Sequence, residues 1–267
     1  MPITKANGID LYYEVHGDGE PLLLIMGLSL TSKSWFRTIP ALSEQYKVIV
    51  FDNRGVGLSG KPNSPYSIEL MAEDARAVLD AAGVESAHVY GISMGGMIAQ
   101  RLALKYPERI KSLILGCTTS GGEKHVQPSA DVSMLMLSRA SSTATPEEMA
   151  WATAPILYSQ SFIENHRDQV AEDIQRRIEI PVLPYAYMLQ LQACLAHNTY
   201  NEIDEIKVPV LVIHGDADKL VPYENGVTLA EKIPNAEFLT INGAGHIYVT
   251  EANDIVNNRV LEFLNNL

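Results

Sequence analysis

Residues 87–106, AHVYGISMGGMIAQRLALKY, leave the chain fewer choices of fold than any other stretch. Ala87 to Tyr90 read as a short strand and Met94 onward as a helix, with Gly91-Ile92-Ser93-Met94-Gly95 spanning the turn between them. A serine on a sharp strand-to-helix turn projects its hydroxyl above the sheet, and flanking glycines let backbone crowd in around it. The helix that follows presents N–H groups at its N-terminus, where negative charge is stabilised. An acyl-transfer nucleophile needs that geometry. G-x-S-x-G alone is a weak signal, and the strand before it and helix after it give it weight.

The rest of the chain supplies a sheet for such a turn. Ile3-Thr4-Lys5 and residues 11–15 flank Asn7-Gly8, a strong hairpin signal. The apolar run at residues 22–26 and KVIVFD at 47–52 fit strands buried on both faces. A helix is expected around residues 34–45. Ser67 caps another that runs to about Ala82, with apolar residues at helical spacing and Gly83 as its stop. Strands recur at 113–115, 208–213 and 237–241, with a helix from Pro222 to about Lys232. The last helix, residues 252–265, is expected to carry Ile255, Val256, Val260, Leu261 and Leu264 on one side. Alternating strands and helices imply a mainly parallel sheet covered on both faces. Between residues 118 and 201 the strand rhythm stops, and helical segments are separated by Pro146, Pro155, Pro181 and Pro184. The expected organisation is therefore a core of residues 1–117 and 202–267 with a helical cap inserted at 118–201.

Charge and composition exclude several classes. The chain of 267 residues has a net charge of −12, which disfavours nucleic acid and anionic membranes as partners. No stretch approaches the roughly 20 apolar residues of a membrane span. The first ten residues lack a signal-peptide pattern, and Cys117 and Cys194 read as free thiols, so the expected location is the cytoplasm.

A serine nucleophile needs a base, and the base an orienting acid. Among seven histidines, His246 lies in Asn242-Gly243-Ala244-Gly245-His246, directly after the last strand, where an open α/β sheet places its catalytic groups. His88, within a strand, reads as packing, and His214, ending one, as a brace for the acid loop. That loop offers Asp216 and Asp218. Asp218 lies further past the strand end, while Asp216 suits a turn-stabilising role. The order Ser93, Asp218, His246 differs from both common serine-protease orders.

With these pieces, and with FDNRGVGLS at residues 51–59, the chain resembles the α/β-hydrolase superfamily along its whole length. Within it the chain is most similar to the small capped carboxylesterase, enol-lactonase and cofactor-free haloperoxidase group, and the run at residues 65–69, the Ser93–Gly96 elbow and the segment around Cys194 resemble 3-oxoadipate enol-lactonases in particular. The resemblance implies an α/β-hydrolase fold with about eight strands, flanking helices and a helical cap. It also implies an oxyanion hole built from the backbone N–H groups of Leu28 and Met94. Most relatives carry His-Gly where this chain has Met26-Gly27, and Met26 reads as core packing.

The expected activity is hydrolysis of a small ester or lactone by Ser93, His246 and Asp218, without metal or cofactor, in a monomer or homodimer. C–C bond hydrolysis, perhydrolysis and a slow-turnover ligand receptor are the alternatives. Serine at 93 disfavours dehalogenase and epoxide-hydrolase chemistry, and Ile247 disfavours hydroxynitrile lyase. Trp35, Met134, Trp151, Tyr158, Phe162, Tyr187 and Ile247 are the candidate pocket residues. Arg139, Arg167, Arg176 and Arg177 are cations able to hold a substrate carboxylate.

Overall fold

A computed structural model describes residues 2–267 and folds them around an eight-stranded sheet. Its strands are β1 (Ile3–Ala6), β2 (Ile9–His16), β3 (Glu20–Ile25), β4 (Tyr46–Phe51), β5 (Ala87–Ile92), β6 (Ile110–Gly116), β7 (Val210–Gly215) and β8 (Glu237–Ile241). Asn7 and Gly8 both have positive φ, 48° and 78°, so a two-residue primed turn joins β1 to β2. β2 pairs antiparallel with β4, and every later pairing is parallel, in the order β1-β2-β4-β3-β5-β6-β7-β8.

The central strands are mostly apolar because both faces are covered. Leu23, Ile25, Val89, Leu113 and Leu115 enter one buried cluster, while Leu22, Leu24, Tyr90, Ile92 and Ile114 enter the other. A one-residue slip would exchange the two sets, so alternation fixes the register.

Residues 34–45 do not form the continuous helix expected. A 3-10 turn, Ser32–Trp35, is followed by the one-turn α1 (Ile39–Leu42). Pro40 has no N–H to continue a helix through Phe36, and the Thr38 amide closes back on the Trp35 carbonyl at 2.8 Å. The helix α2 (Ile68–Ala81) begins at Ser67, whose Oγ accepts from the Leu70 amide, and buries its apolar stripe in the first cluster. There it joins α3 (Met94–Lys105). Five helices lie between β6 and β7: α4 (Ala130–Ser138), α5 (Pro146–Leu157), α6 (Gln160–Asn165), α7 (Arg167–Ile178) and α8 (Pro184–Leu195). A β-bridge between Gly121 and Asn198 ties the two ends of this helical segment together.

After β7 comes α9 (Glu224–Lys232). The terminal helix is broken at Ala252 into α10 (Tyr248–Glu251) and α11 (Asn253–Asn265). Val256, Val260, Phe263 and Leu264 of α11 face the second cluster, whereas Ile255 is 62% exposed. Counted from Val256, the core-facing spacing of four, seven and eight positions selects Phe263 and leaves Ile255 outside. No described helix is long and apolar enough to cross a membrane.

The chain leaves β3 for β4 on one side, while β5 lies on the other. The strand order therefore reverses between β3 and β5, which opens a crevice at their C-terminal ends. The loops leaving these two strands carry Gly27-Leu28-Ser29 and Ser93.

Candidate active site

Ser93 joins β5 to α3 with φ 56° and ψ −121°, a region that non-glycine residues occupy only when their surroundings impose it. The surroundings do impose it. Its amide donates to the Gly116 carbonyl at 2.9 Å, and its own carbonyl accepts from Gly96, Met97 and the Thr118 hydroxyl. The two flanking glycines have no room for a side chain. A Cβ at Gly91 would lie 2.2 Å from the Gly95 carbonyl oxygen, and one at Gly95 would lie 2.0 Å from that of Ile25. The elbow is thus pressed against the end of β3.

His246 reaches the same place from the loop after β8. Its Nδ1 lies 2.7 Å from Oδ2 of Asp218, and both residues are buried. Asp218 Oδ1 accepts from the amides of Leu220 and Val221 at 2.8 and 2.9 Å. Burial opposes the charge on Asp218, but His246 and His214 outweigh it and hold the carboxyl down at about 2. His214 Nε2 lies 2.8 Å from the Val221 carbonyl oxygen and 3.3 Å from Asp218, bracing the acid loop. Asp216 accepts instead from the Gly243 amide at 2.6 Å, which ties the acid loop to the histidine loop. The aspartate brought to His246 is Asp218.

On its far side His246 Nε2 faces the buried Cys117 Sγ at 4.0 Å, and no hydrogen bond joins it to Ser93 among the described residues. A serine–histidine hydrogen bond is often long in an unliganded site and tightens around substrate. Cys117, Asp218 and His246 hold donor atoms within 4.8 Å of one another. Both Asp218 oxygens are already engaged, and burial and the Asp218 charge push the thiol up, which opposes the thiolate a metal ligand requires.

The two loops on either side are anchored from the helical segment. Glu251 accepts from the amides of Gly245 and Ser159 at 3.0 and 2.9 Å and from the Ser159 hydroxyl, while the Ile247 amide donates to the Leu157 carbonyl. The fully buried Gln190 of α8 accepts from the Ser29 amide at 2.9 Å and donates to the Arg54 carbonyl at 2.8 Å. Neither Leu28 nor Met94 has a partner for its amide among the described residues. Met26 is buried in the second apolar cluster, and its carbonyl accepts from Asn53.

Ser93 and His246 open together onto a cavity of about 330 Å³, walled by Leu28, Met136, Leu157 and Leu191. Of the seven expected pocket residues, only Ile247 lines it. Trp35 is buried in the cluster below the sheet, 5.0 Å from the Tyr90 ring. Met134 is 70% exposed, because on α4 the inward position belongs to Met136, two residues on. Trp151 is covered by Arg167, and Tyr158 and Phe162 stack within the core of the helical segment. Tyr187 donates to the Met136 carbonyl and borders a neighbouring cavity. Of the four arginines, Arg139 and Arg177 line the cavity, whereas Arg176 lies over Phe36 and bonds Glu172. Gln190 and Glu251 carried no sequence signal beyond polarity inside an apolar helix pattern.

A serine held on an imposed turn, beside a histidine–aspartate pair at the crevice of a largely parallel sheet, defines a class of enzyme, the hydrolases built on an open α/β fold. The chain belongs to the alpha/beta hydrolase fold family, whose model matches residues 20–252. It is 33% identical over 98% of its length to RutD of Azorhizobium caulinodans, named as a carbamate hydrolase, and covers 98% of that protein. Among solved structures it is similar to the enol-lactonase from Burkholderia xenovorans LB400, with 26% identity, a TM-score of 0.88, and coverage of 99% of this chain and 100% of that one. It is also similar to a thermophilic esterase from Thermogutta terrifontis, with 26% identity, a TM-score of 0.84, and coverage of 99% and 96%.

Proposed function

We propose that this chain is a serine hydrolase that cleaves a small carboxylic ester or lactone through an acyl-enzyme. The pairing of His246 with Asp218 at 2.7 Å, on a cavity that Ser93 also lines, carries this reading. Ser93 Oγ attacks the carbonyl carbon while His246 Nε2 takes its proton. Asp218 fixes the tautomer with the proton on Nδ1 and stabilises the imidazolium. The amides of Leu28 and Met94 receive the oxyanion, a contribution of several kcal/mol to the barrier for donors of this kind. His246 then protonates the leaving alkoxide and activates water, which releases the acid. Residues 118–201 act as the cap that closes the cavity opposite the sheet.

The names of the enol-lactonase and the esterase support an ester or lactone, without choosing between them. The name of the RutD relative supports a second reading, the same steps on a carbamate carbonyl. Turnover of p-nitrophenyl acetate and butyrate, 3-oxoadipate enol-lactone and phenyl carbamate by the wild type and by Ser93→Ala tests both. The expected result is wild-type turnover of at least one substrate that disappears in the variant. Rates at the buffer background for all of them would refute the proposal and favour a ligand receptor.

A further inference from the structure

Two consecutive threonines follow β6. The Thr118 hydroxyl donates to the Ser93 carbonyl at 2.7 Å, and that of Thr119 lies 2.9 Å from Nδ1 of His125. His125 lines the cavity that holds Ser93 and His246, and its partners fix its tautomer. Asn225 is held in one orientation. Its Nδ2 donates to the carbonyls of Val126 and Pro222 at 2.9 and 3.0 Å, and its Oδ1 accepts from the Val126 amide at 3.0 Å. That Oδ1, an acceptor only, lies 2.9 Å from His125 Nδ1. Two bare acceptors would repel at this distance, so Nδ1 carries the proton. The Thr119 hydroxyl accepts from the Gly121 amide at 3.0 Å and donates to the same Oδ1 at 3.1 Å. In the neutral ring Nε2 is then a lone-pair acceptor, and it has no partner among the described residues.

His197, which lines the same cavity, adds a second unmet nitrogen. The residue is 6% exposed, and its Nδ1 is buried without a hydrogen-bond partner. Burial first, and then the Arg101 charge, holds the His197 imidazole down at about 3, so it stays neutral. No carboxylate bonds either ring among the described residues. The Arg101 charge also disfavours a cationic ligand at this corner. The group that fits is therefore uncharged and donates a hydrogen bond. An acceptor left bare beneath a bound ligand costs affinity, and a donor on the ligand recovers it. We infer that His125 Nε2 accepts a hydrogen bond from a hydroxyl on the substrate, so that the site selects hydroxyl-bearing esters or lactones over their plain alkyl counterparts. This rests on the hydrolase reading above and narrows its substrate class.

The test uses two pairs of esters in which a methyl group replaces the hydroxyl at nearly equal size. Ethyl 3-hydroxybutanoate is compared with ethyl 3-methylbutanoate, and 2-hydroxyethyl butanoate with propyl butanoate. After correction for their rates with hydroxide, the wild type is expected to favour the hydroxy ester of at least one pair by at least about ten-fold in kcat/KM. The pair that responds tells whether the hydroxyl belongs to the acyl or the alcohol part. In His125→Phe that preference should fall by at least about five-fold, mainly through KM, because the contact is remote from the reacting bond. No corrected preference in either pair, or an unchanged preference in His125→Phe, would overturn the assignment. Nitrogen-15 imidazole spectra of the wild type at about pH 8 need no variant. They should show the His125 proton on Nδ1, and 4-hydroxybutan-2-one should move Nε2 upfield where pentan-2-one does not. A proton on Nε2, or the same response to both ketones, overturns the acceptor. If no ester is hydrolysed, the hydrolase reading fails by itself, and the ketone titration alone decides the hydroxyl site.

Discussion

Gly95→Ala separates the chemistry of the elbow from its mere presence. A Cβ at this position would lie 2.0 Å from the Ile25 carbonyl oxygen, 2.6 Å from its carbon and 3.0 Å from the Met26 oxygen. An ordinary C···O contact is about 3.3 Å or more, so the start of α3 must retreat from the end of β3 by roughly 1 Å. These three nearest atoms are all backbone, so no side-chain rotation relieves the clash. The retreat moves Met94 away from Leu28, the two amides proposed to hold the oxyanion, and displaces Ser93 with them. A misplacement of 1 Å costs on the order of 10²-fold in rate. Overpacking of this kind costs about 1–3 kcal/mol of stability, or a Tm lowered by roughly 2–5 °C in a domain of this size. The assay is kcat for p-nitrophenyl butyrate together with a thermal melt. Gly83→Ala is the control, since Gly83 has φ 69° with nothing within 4 Å of its Cβ, and the expected cost is roughly 2–4 °C of Tm with kcat unchanged. Gly95→Ala with wild-type kcat and wild-type Tm would refute the close approach and the oxyanion geometry built on it.

Asp218→Asn should present an amide N–H to His246 Nδ1, favour the wrong tautomer and lower kcat by about 10³–10⁴-fold. The same variant tests linkage. The fold holds the Asp218 carboxyl at about 2, against 3.8 as the ordinary value, so the unfolded chain takes up the proton first. Its stabilising contribution is complete above the ordinary value and is lost as pH falls toward 2, and urea unfolding of Asp218→Asn should show a shallower fall over that range. Asp74→Ala removes the partner of the buried Arg54, bound through Nε and Nη2, and should cost about 3–5 kcal/mol in urea unfolding. A loss below about 1 kcal/mol would show that water reaches Arg54 once Asp74 is gone.

The sheet was legible because its information is local. Strand alternation, the Asn7-Gly8 turn and the Ser67 cap each depend on a few neighbouring residues, and each is found where its chemistry puts it. The candidate triad was legible for a related reason, since strand ends in an open parallel sheet all point to one edge. The cavity wall was not. Met134 and Met136 are equally apolar, and only the orientation of α4 against its neighbours decides which of them faces inward. The arginines pose the same problem in charge. Sequence identifies four arginines in the helical segment, but whether one meets a glutamate, an aromatic ring or a cavity depends on packing between helices.

Gln190 gives this division of labour a consequence for how such an enzyme can change. One buried amide on α8 grips the loop after β3 through Ser29 and the loop after β4 through Arg54. A helix that lines the cavity is thereby fastened to the backbone proposed to stabilise the reaction's negative charge. On the proposed function, substrate preference and turnover are mechanically linked through α8. Substitutions that reposition α8 to admit a new ligand will shift kcat as well as KM, so new specificities are reached most readily by changing side chains on α4 or α5 and leaving α8 in place.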